Sequence, residues 1–262
     1  MTDTTLYMLH LPIDARRLME FARMHSLSGP QASADVGYLL HALFAALFGR
    51  DAPKPFAESN REASSRRASS DCLEVLSYSR HSLEALKARA EFEAEPSVYR
   101  AVDWSRAADK PMPNRFPPGM RLGFELRACP VTRSARGGGD ADEKPGAERD
   151  VYELAARRAP PDQKPERSEV YRQWLQKQLA DAGVELQTVE VRAMRRSPVF
   201  RRARPTQAAA APMKNNRGFD RPDVTFSGVI KIEDADVFRA RLALGVGRHR
   251  AFGFGMLMLR RA

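Results

Sequence analysis

The chain has 262 residues and carries 43 Lys and Arg against 33 Asp and Glu, a formal net charge of +10 with a sequence pI near 10.0. That length supports one large domain or two small ones with a proper core, and the cationic excess favours a polyanionic partner. No apolar run of about 18 residues exists to span a bilayer, and the opening MTDTTLYMLHLPID lacks a basic n-region, so the expectation is a cytoplasmic protein with no membrane partner.

In chain order, short apolar alternation predicts a strand over Thr5 to Leu11, and Asp14 then caps a helix from Ala15 to His25. Asp35 caps a second helix, VGYLLHALFAALF, closed by Gly49. A polar Pro- and Ser-rich loop leads to a strand over Cys72 to Tyr78 and a helix over Ser82 to Glu91. MRLGFELRACPV, Met120 to Val131, reads as a further strand and completes a first α+β unit, 1–132. From 133 to 168 the composition turns to Gly, Pro and mixed charge around GGGDADEKPG, which predicts a mobile insertion or linker. In 169–262 a helix carries Trp174, Leu175 and Leu179 and closes at Gly183. Strands follow over Val184 to Val191 and Val224 to Ile232, then a helix capped by Asp234, then a last strand, MLMLR. The repeated rhythm predicts two tandem ferredoxin-like (RRM-like) halves of an α+β protein, with an Arg-rich insertion or finger in the second.

Three features carry chemistry. In the run 245–255, GVGRHRAFGFG, glycines such as Gly245 and Gly247 allow close backbone approach to a ligand, and Arg248, His249 and Arg250 supply donors and charge. No G-K-[ST] follows, so it is not a nucleotide P-loop. On the second helix Tyr38 and His41 stand three positions apart and project from one face; the plain alternative is a hydrogen-bonded structural histidine. Between 192 and 221, Arg192, Arg195, Arg196, Arg201, Arg202, Arg204, Lys214, Arg217 and Arg221 face the single acid Asp220. If helical, Arg192, Arg195 and Arg196 share one side and can track RNA phosphates; the alternative is a basic tether. Arg23 and His25, at the end of the first helix, are second candidates for a site. His10 and His81 are assigned structural or surface roles. Cys72 and Cys129 have no His or Cys at ligand spacing and read as reduced core thiols, so neither metal nor cofactor is expected.

The glycine-rich loop close to the C-terminus, GVGRHRAFGFGMLML, resembles the signature loop of CRISPR-associated repeat-RNA-processing endoribonucleases, in particular their CasE-like branch. GMRLGFELRACPV, QWLQKQLADAGVEL and VTFSGVIKIEDADVFRARLALGVG are similar to further segments of that branch in the same order, and the likeness spans nearly the whole chain outside 133–164. DVGYLLHALF matches the branch's Tyr and His helix, which implies a catalytic pair at Tyr38 and His41. The implied reaction is metal-independent: a ribose 2′-OH attacks its own 3′-phosphate, leaving a 2′,3′-cyclic phosphate and a 5′-OH. It further implies cleavage of precursor CRISPR RNA at the base of the repeat hairpin, possible single turnover, and retention of the product beside other effector-complex subunits. The branch serves type I-E and type IV systems, and the Arg-rich segment favours type IV. The rival functions are an inert hairpin-binding subunit, and a DNA-binding regulator, for which no helix-turn-helix is legible.

Overall fold

The computed structural model describes residues 5–27, 35–59, 71–133, 147–160, 162–199 and 219–262. The chain divides into two units. One comprises Met1–Met112, Ser197–Asp220 and Ala251–Gly253; the other comprises Pro113–Arg196, Arg221–Arg250 and Phe254–Ala262.

In the first unit, strand β1 (Tyr7–Asp14) is followed by helices α1 (Ala15–Met24) and α2 (Val36–Phe48), strands β2 (Phe56–Glu58) and β3 (Cys72–Ser79), helices α3 (Leu83–Glu93) and α4 (Pro96–Tyr99), and strand β4 (Ala108–Pro111). The sheet order is β2-β3-β1-β4, and every paired neighbour is antiparallel. A βαββαβ chain with its first and third strands central is ferredoxin-like. β1 alternates as a half-buried strand must: Leu9, Leu11 and Ile13 are fully buried, while His10 on the opposite face pairs with Glu74 at 2.6 Å. That face also gathers Arg106, which pairs with Glu74 and donates to Cys72 Sγ at 3.4 Å. His10 is thus paired with a charge, and Cys72 is only half-buried whereas Cys129 is buried.

The caps form where Asp and Ser precede apolar runs. Asp14 accepts from the amides of Arg16 and Arg17, Asp35 from that of Tyr38, and Ser82 from that of Ala85. α2 is apolar almost all round, and Leu39, Leu40, Leu43, Phe44, Leu47 and Phe48 are each no more than 1% exposed. Such a helix is stable only as the centre of a core.

In the second unit, strand β5 (Arg121–Ala128) leads to the hairpin of β6 (Val131–Arg133) and β7 (Glu148–Asp150). Helices α5 (Val151–Arg158) and α6 (Arg167–Leu179), strands β8 (Val184–Val199) and β9 (Phe219–Ile232), helix α7 (Ala235–Leu244) and strand β10 (Leu257–Arg261) follow. The order β10-β5-β9-β8 repeats the ferredoxin-like arrangement. On one face of the sheet Phe124, Leu126, Phe226 and Ile230 are fully buried, and Trp174 of α6 stacks on Phe226 at 6.2 Å. The other face presents Arg127, Asp223 and Ser227.

The fold class is as the sequence predicts, and two local expectations are corrected. The strand at 121–128, expected in the first unit, is a central strand of the second sheet, because alternation reports a buried face and not a partner. Within the expected insertion, residues 148–158 form β7 and α5, with Asp150 buried and capping α5; residues 134–146 lie outside the described part. The segment carrying Arg192, Arg195 and Arg196, left open above between helix and basic tether, is β-strand. Arg201, Arg202, Arg204, Lys214 and Arg217 lie outside the described residues.

Leu40, fully buried in the first core, sets a stability test. Leu40→Ala is expected to cost about 2–5 kcal/mol, read as a lower denaturation midpoint at unchanged slope. Ala46→Ser, at an exposed position of the same helix, is expected to stay within about 0.5 kcal/mol.

Candidate functional site

The first unit brings the helix pair and part of the glycine-rich loop together. Tyr38 and His41 stand on α2, whose start is fixed by the buried Asp35 accepting from the Tyr38 amide at 2.9 Å. Phe252 packs on the same helix face. Its ring lies parallel to that of Tyr38 with centroids 6.4 Å apart, and 4.8 Å from that of His41. Gly37 makes this possible, because a Cβ there would stand 2.3 Å from the Phe252 carbonyl oxygen. Phe252 was not among the expected site residues; its only local signal is an aromatic ring beside Gly253 in a glycine-rich loop.

His41 is half-buried, and burial first, then the positive charge of Lys54, lowers its pKa below the ordinary histidine value of 6.5. The imidazole is therefore neutral at neutral pH, the form that accepts a proton. The second candidates occupy another helix end. Arg23 and His25 are exposed at the close of α1, where the His25 ring rests 4.5 Å from that of Phe21.

In the second unit the loop leaves α7 at Gly245, a C-cap at φ 75° whose amide donates to Arg241 O. Gly247, at φ 74°, sits where a Cβ would meet the Trp174 ring at 3.0 Å, so its small size serves the loop's own packing. The loop cations are held from within. Arg248 Nε donates to Glu148 Oε1 at 2.8 Å, His249 Nε2 lies 2.9 Å from Glu148 Oε2, and Arg250 donates to Leu244 O, capping α7. Glu148 and His249 side chains are 4% and 1% exposed. Glu148 escaped the sequence reading because it lies in the segment read as a mobile insertion.

The described arginines of β8 are also oriented. Arg192 Nε donates to Ser227 Oγ at 2.8 Å, Arg195 Nε to Asp223 Oδ2 at 2.6 Å, and Arg196 Nη1 to Glu153 at 3.1 Å. Asp223, 1% exposed, also takes a two-pronged contact from Arg127 at 2.9 Å on each oxygen. Arg127 in turn lies over the Phe254 ring at 4.7 Å. The result is an array of guanidinium groups, two of them held by the buried Asp223 and the others by Ser227 and the half-exposed Glu153, suited chemically to phosphate oxygens. Among the described residues no group of three or more His, Cys, Asp or Glu is placed to hold a metal ion, and no helix is long and apolar enough to cross a membrane.

Comparison with known families decides the affiliation. The family model described as CRISPR associated protein matches residues 6–261. The chain belongs to this CRISPR-associated protein family. Among solved structures, this CRISPR-associated protein is similar to the CRISPR endoribonuclease Cse3 bound to a 19-nucleotide RNA (TM-score 0.59, 17% identity, covering 97% of this chain and 99% of that one). It is similar also to Thermus thermophilus Cse3 bound to an RNA representing a pre-cleavage complex (0.55, 18%, 98% and 99%). Cas6e from Escherichia coli K-12 matches as well (0.52, 19%, 98% and 100%). The shared feature is the fold. No curated protein sequence matches significantly.

The His41 environment predicts a titration. Its depressed folded pKa means that the unfolded chain binds the proton more readily, so the stability tied to neutral His41 is present above about pH 6.5 and declines as pH falls below it. The NMR midpoint of His41 in this CRISPR-associated protein is expected below 6.5. Gly37→Ala, which displaces Phe252, is expected to move it back up toward that value; an unmoved midpoint would mean Phe252 contributes nothing to the burial.

Proposed function

We propose that this CRISPR-associated protein is an endoribonuclease that cleaves precursor CRISPR RNA at the base of a repeat hairpin and keeps the hairpin product. The observation that carries the reading is Phe252 of the signature-like loop laid over Tyr38 and His41, in a fold like that of RNA-bound Cse3. In this reading neutral His41 takes the proton of a ribose 2′-OH as it attacks its own 3′-phosphate. The P–O bond to the 5′-oxygen breaks and that oxygen takes a proton from water, giving a 2′,3′-cyclic phosphate and a 5′-OH. The Tyr38 hydroxyl orients the phosphate, and no metal takes part. Arg192, Arg195 and Arg196, with Arg248, meet the RNA backbone, supplying affinity without sequence information. A similar fold also occurs in a CRISPR RNA-guided surveillance complex (TM-score 0.52, 16% identity), which supports retention of the product beside other effector subunits.

The test is single-turnover cleavage of the repeat RNA in EDTA, with hairpin affinity measured on the same samples. His41→Ala is expected to bind normally and cut roughly 10²–10⁴-fold more slowly, with a smaller loss for Tyr38→Phe. Undiminished cutting by His41→Ala would move the chemistry to Arg23 and His25, and no cutting by the wild type would leave a hairpin-binding subunit.

The strand arginines set a separate expectation. Arg192→Ala leaves one phosphate without its guanidinium, which should lower the slope of log affinity against log salt by roughly 0.7–0.9, equally across RNA sequences.

A further inference from the structure

Glu148 is an acid placed among the cations of the surface read above as RNA-binding. Its backbone is fixed first: β7 pairs with β6 through Arg133↔Glu148, Thr132↔Arg149 and Val131↔Asp150. Two residues on, buried Asp150 accepts from the Tyr152 amide and from the Tyr171 hydroxyl, tying the strand to α5 and α6. From this anchored position the carboxylate divides its two oxygens between consecutive loop residues, Oε1 to Arg248 and Oε2 to His249. Arg221, at the base of β9, stands 3.8 Å from Oε2 and donates to the Glu148 carbonyl oxygen at 3.3 Å.

The two neighbours are held differently. His249 is buried, with its backbone in the left-handed region at φ 60°, whereas Arg248 gives Glu148 its Nε and keeps its side chain 38% exposed. A guanidinium clamped at Nε presents its terminal amino groups in a fixed direction, which spares ordering cost when they meet an anion. A negative charge here otherwise opposes a phosphate backbone. Its service to RNA binding is therefore geometric.

We propose that Glu148 is a positioning residue: it holds Arg248 and His249 so that the glycine-rich loop meets the backbone of a folded hairpin, and so sets the preference for hairpin over unstructured RNA. The inference rests on the RNA-processing reading, and charge and geometry predict opposite signs. Glu148→Gln removes the negative charge and one of the two acceptor oxygens at nearly unchanged size, which weakens the paired grip on Arg248 and His249. If the charge alone mattered, all RNA would bind more tightly; if the clamp matters, hairpin binding falls while unstructured RNA binds equally or better.

The experiment measures affinity of the full chain for the repeat hairpin and for an unstructured RNA of equal length, with amide hydrogen exchange over 245–250. Glu148→Gln is expected to lose at least roughly tenfold in hairpin affinity, to hold unstructured RNA as well as the wild type or better, and to exchange faster in the loop. In an Arg248→Ala, His249→Ala background Glu148→Gln is expected to add no further hairpin loss. Should Glu148→Gln fail to fold, Arg248→Lys carries the test, since it keeps the charge and lacks the Nε donor; the same selective hairpin loss is expected. Hairpin affinity unchanged or raised, or equal loss on both RNAs, overturns the proposal. A wild-type protein with no hairpin preference overturns the RNA-processing reading as well, and is told apart because it appears before any substitution is made.

Discussion

The carbonyl oxygen of Phe252 lies where Gly37 would otherwise carry a side chain, 2.3 Å from an ideal Cβ. Any other residue at that position would push the loop backbone off α2 and take the Phe252 ring from Tyr38 and His41. His41 is half-buried beside that ring, and burial, then the positive charge of Lys54, lowers its pKa. A close backbone approach thus sets which ring lies beside Tyr38 and His41.

The second unit is organised by acids, although the chain as a whole is basic. The side chains of Glu148, Asp150 and Asp223 are buried: the Glu148 carboxylate meets Arg248 and His249 with Arg221 3.8 Å away, Asp150 accepts from Tyr171 and the Tyr152 amide, and Asp223 accepts from Arg127 and Arg195. A single buried ion pair often fails to recover its desolvation cost. A carboxylate that accepts several charge-assisted hydrogen bonds does better, and it fixes the geometry of every donor it holds. Arginines that would otherwise sample many rotamers are therefore ordered in place along β5, β8, β9 and the loop.

Much of this was legible from sequence. The starts of α1, α2, α3 and α7 follow from Asp14, Asp35, Ser82 and Asp234, since their side chains accept the otherwise unpaired first-turn amides. The Tyr38 and His41 face follows from helical periodicity, and the family from the loop motif and the order of the segments around it. What escaped was short or dependent on a distant partner. β2 and β7 have three residues each and exist through pairing with β3 and β6. Arg192 to Arg196 left helix and basic tether open in isolation, and Ser227, Asp223 and Glu153 were the distant partners of the strand arginines.

By itself the sequence determined the two ferredoxin-like rhythms, the capped helices, the cationic surplus and the shared helix face of Tyr38 and His41. These depend on local periodicity, on side chains within a turn of their targets, and on composition. Tertiary structure alone decided that β5 belongs to the second sheet, that Phe252 covers the helix pair, and that Glu148 grips a loop 100 residues later in the chain. Those outcomes depend on which distant groups meet and exclude water, and pairing across such separations leaves no periodic trace in the residues that take part.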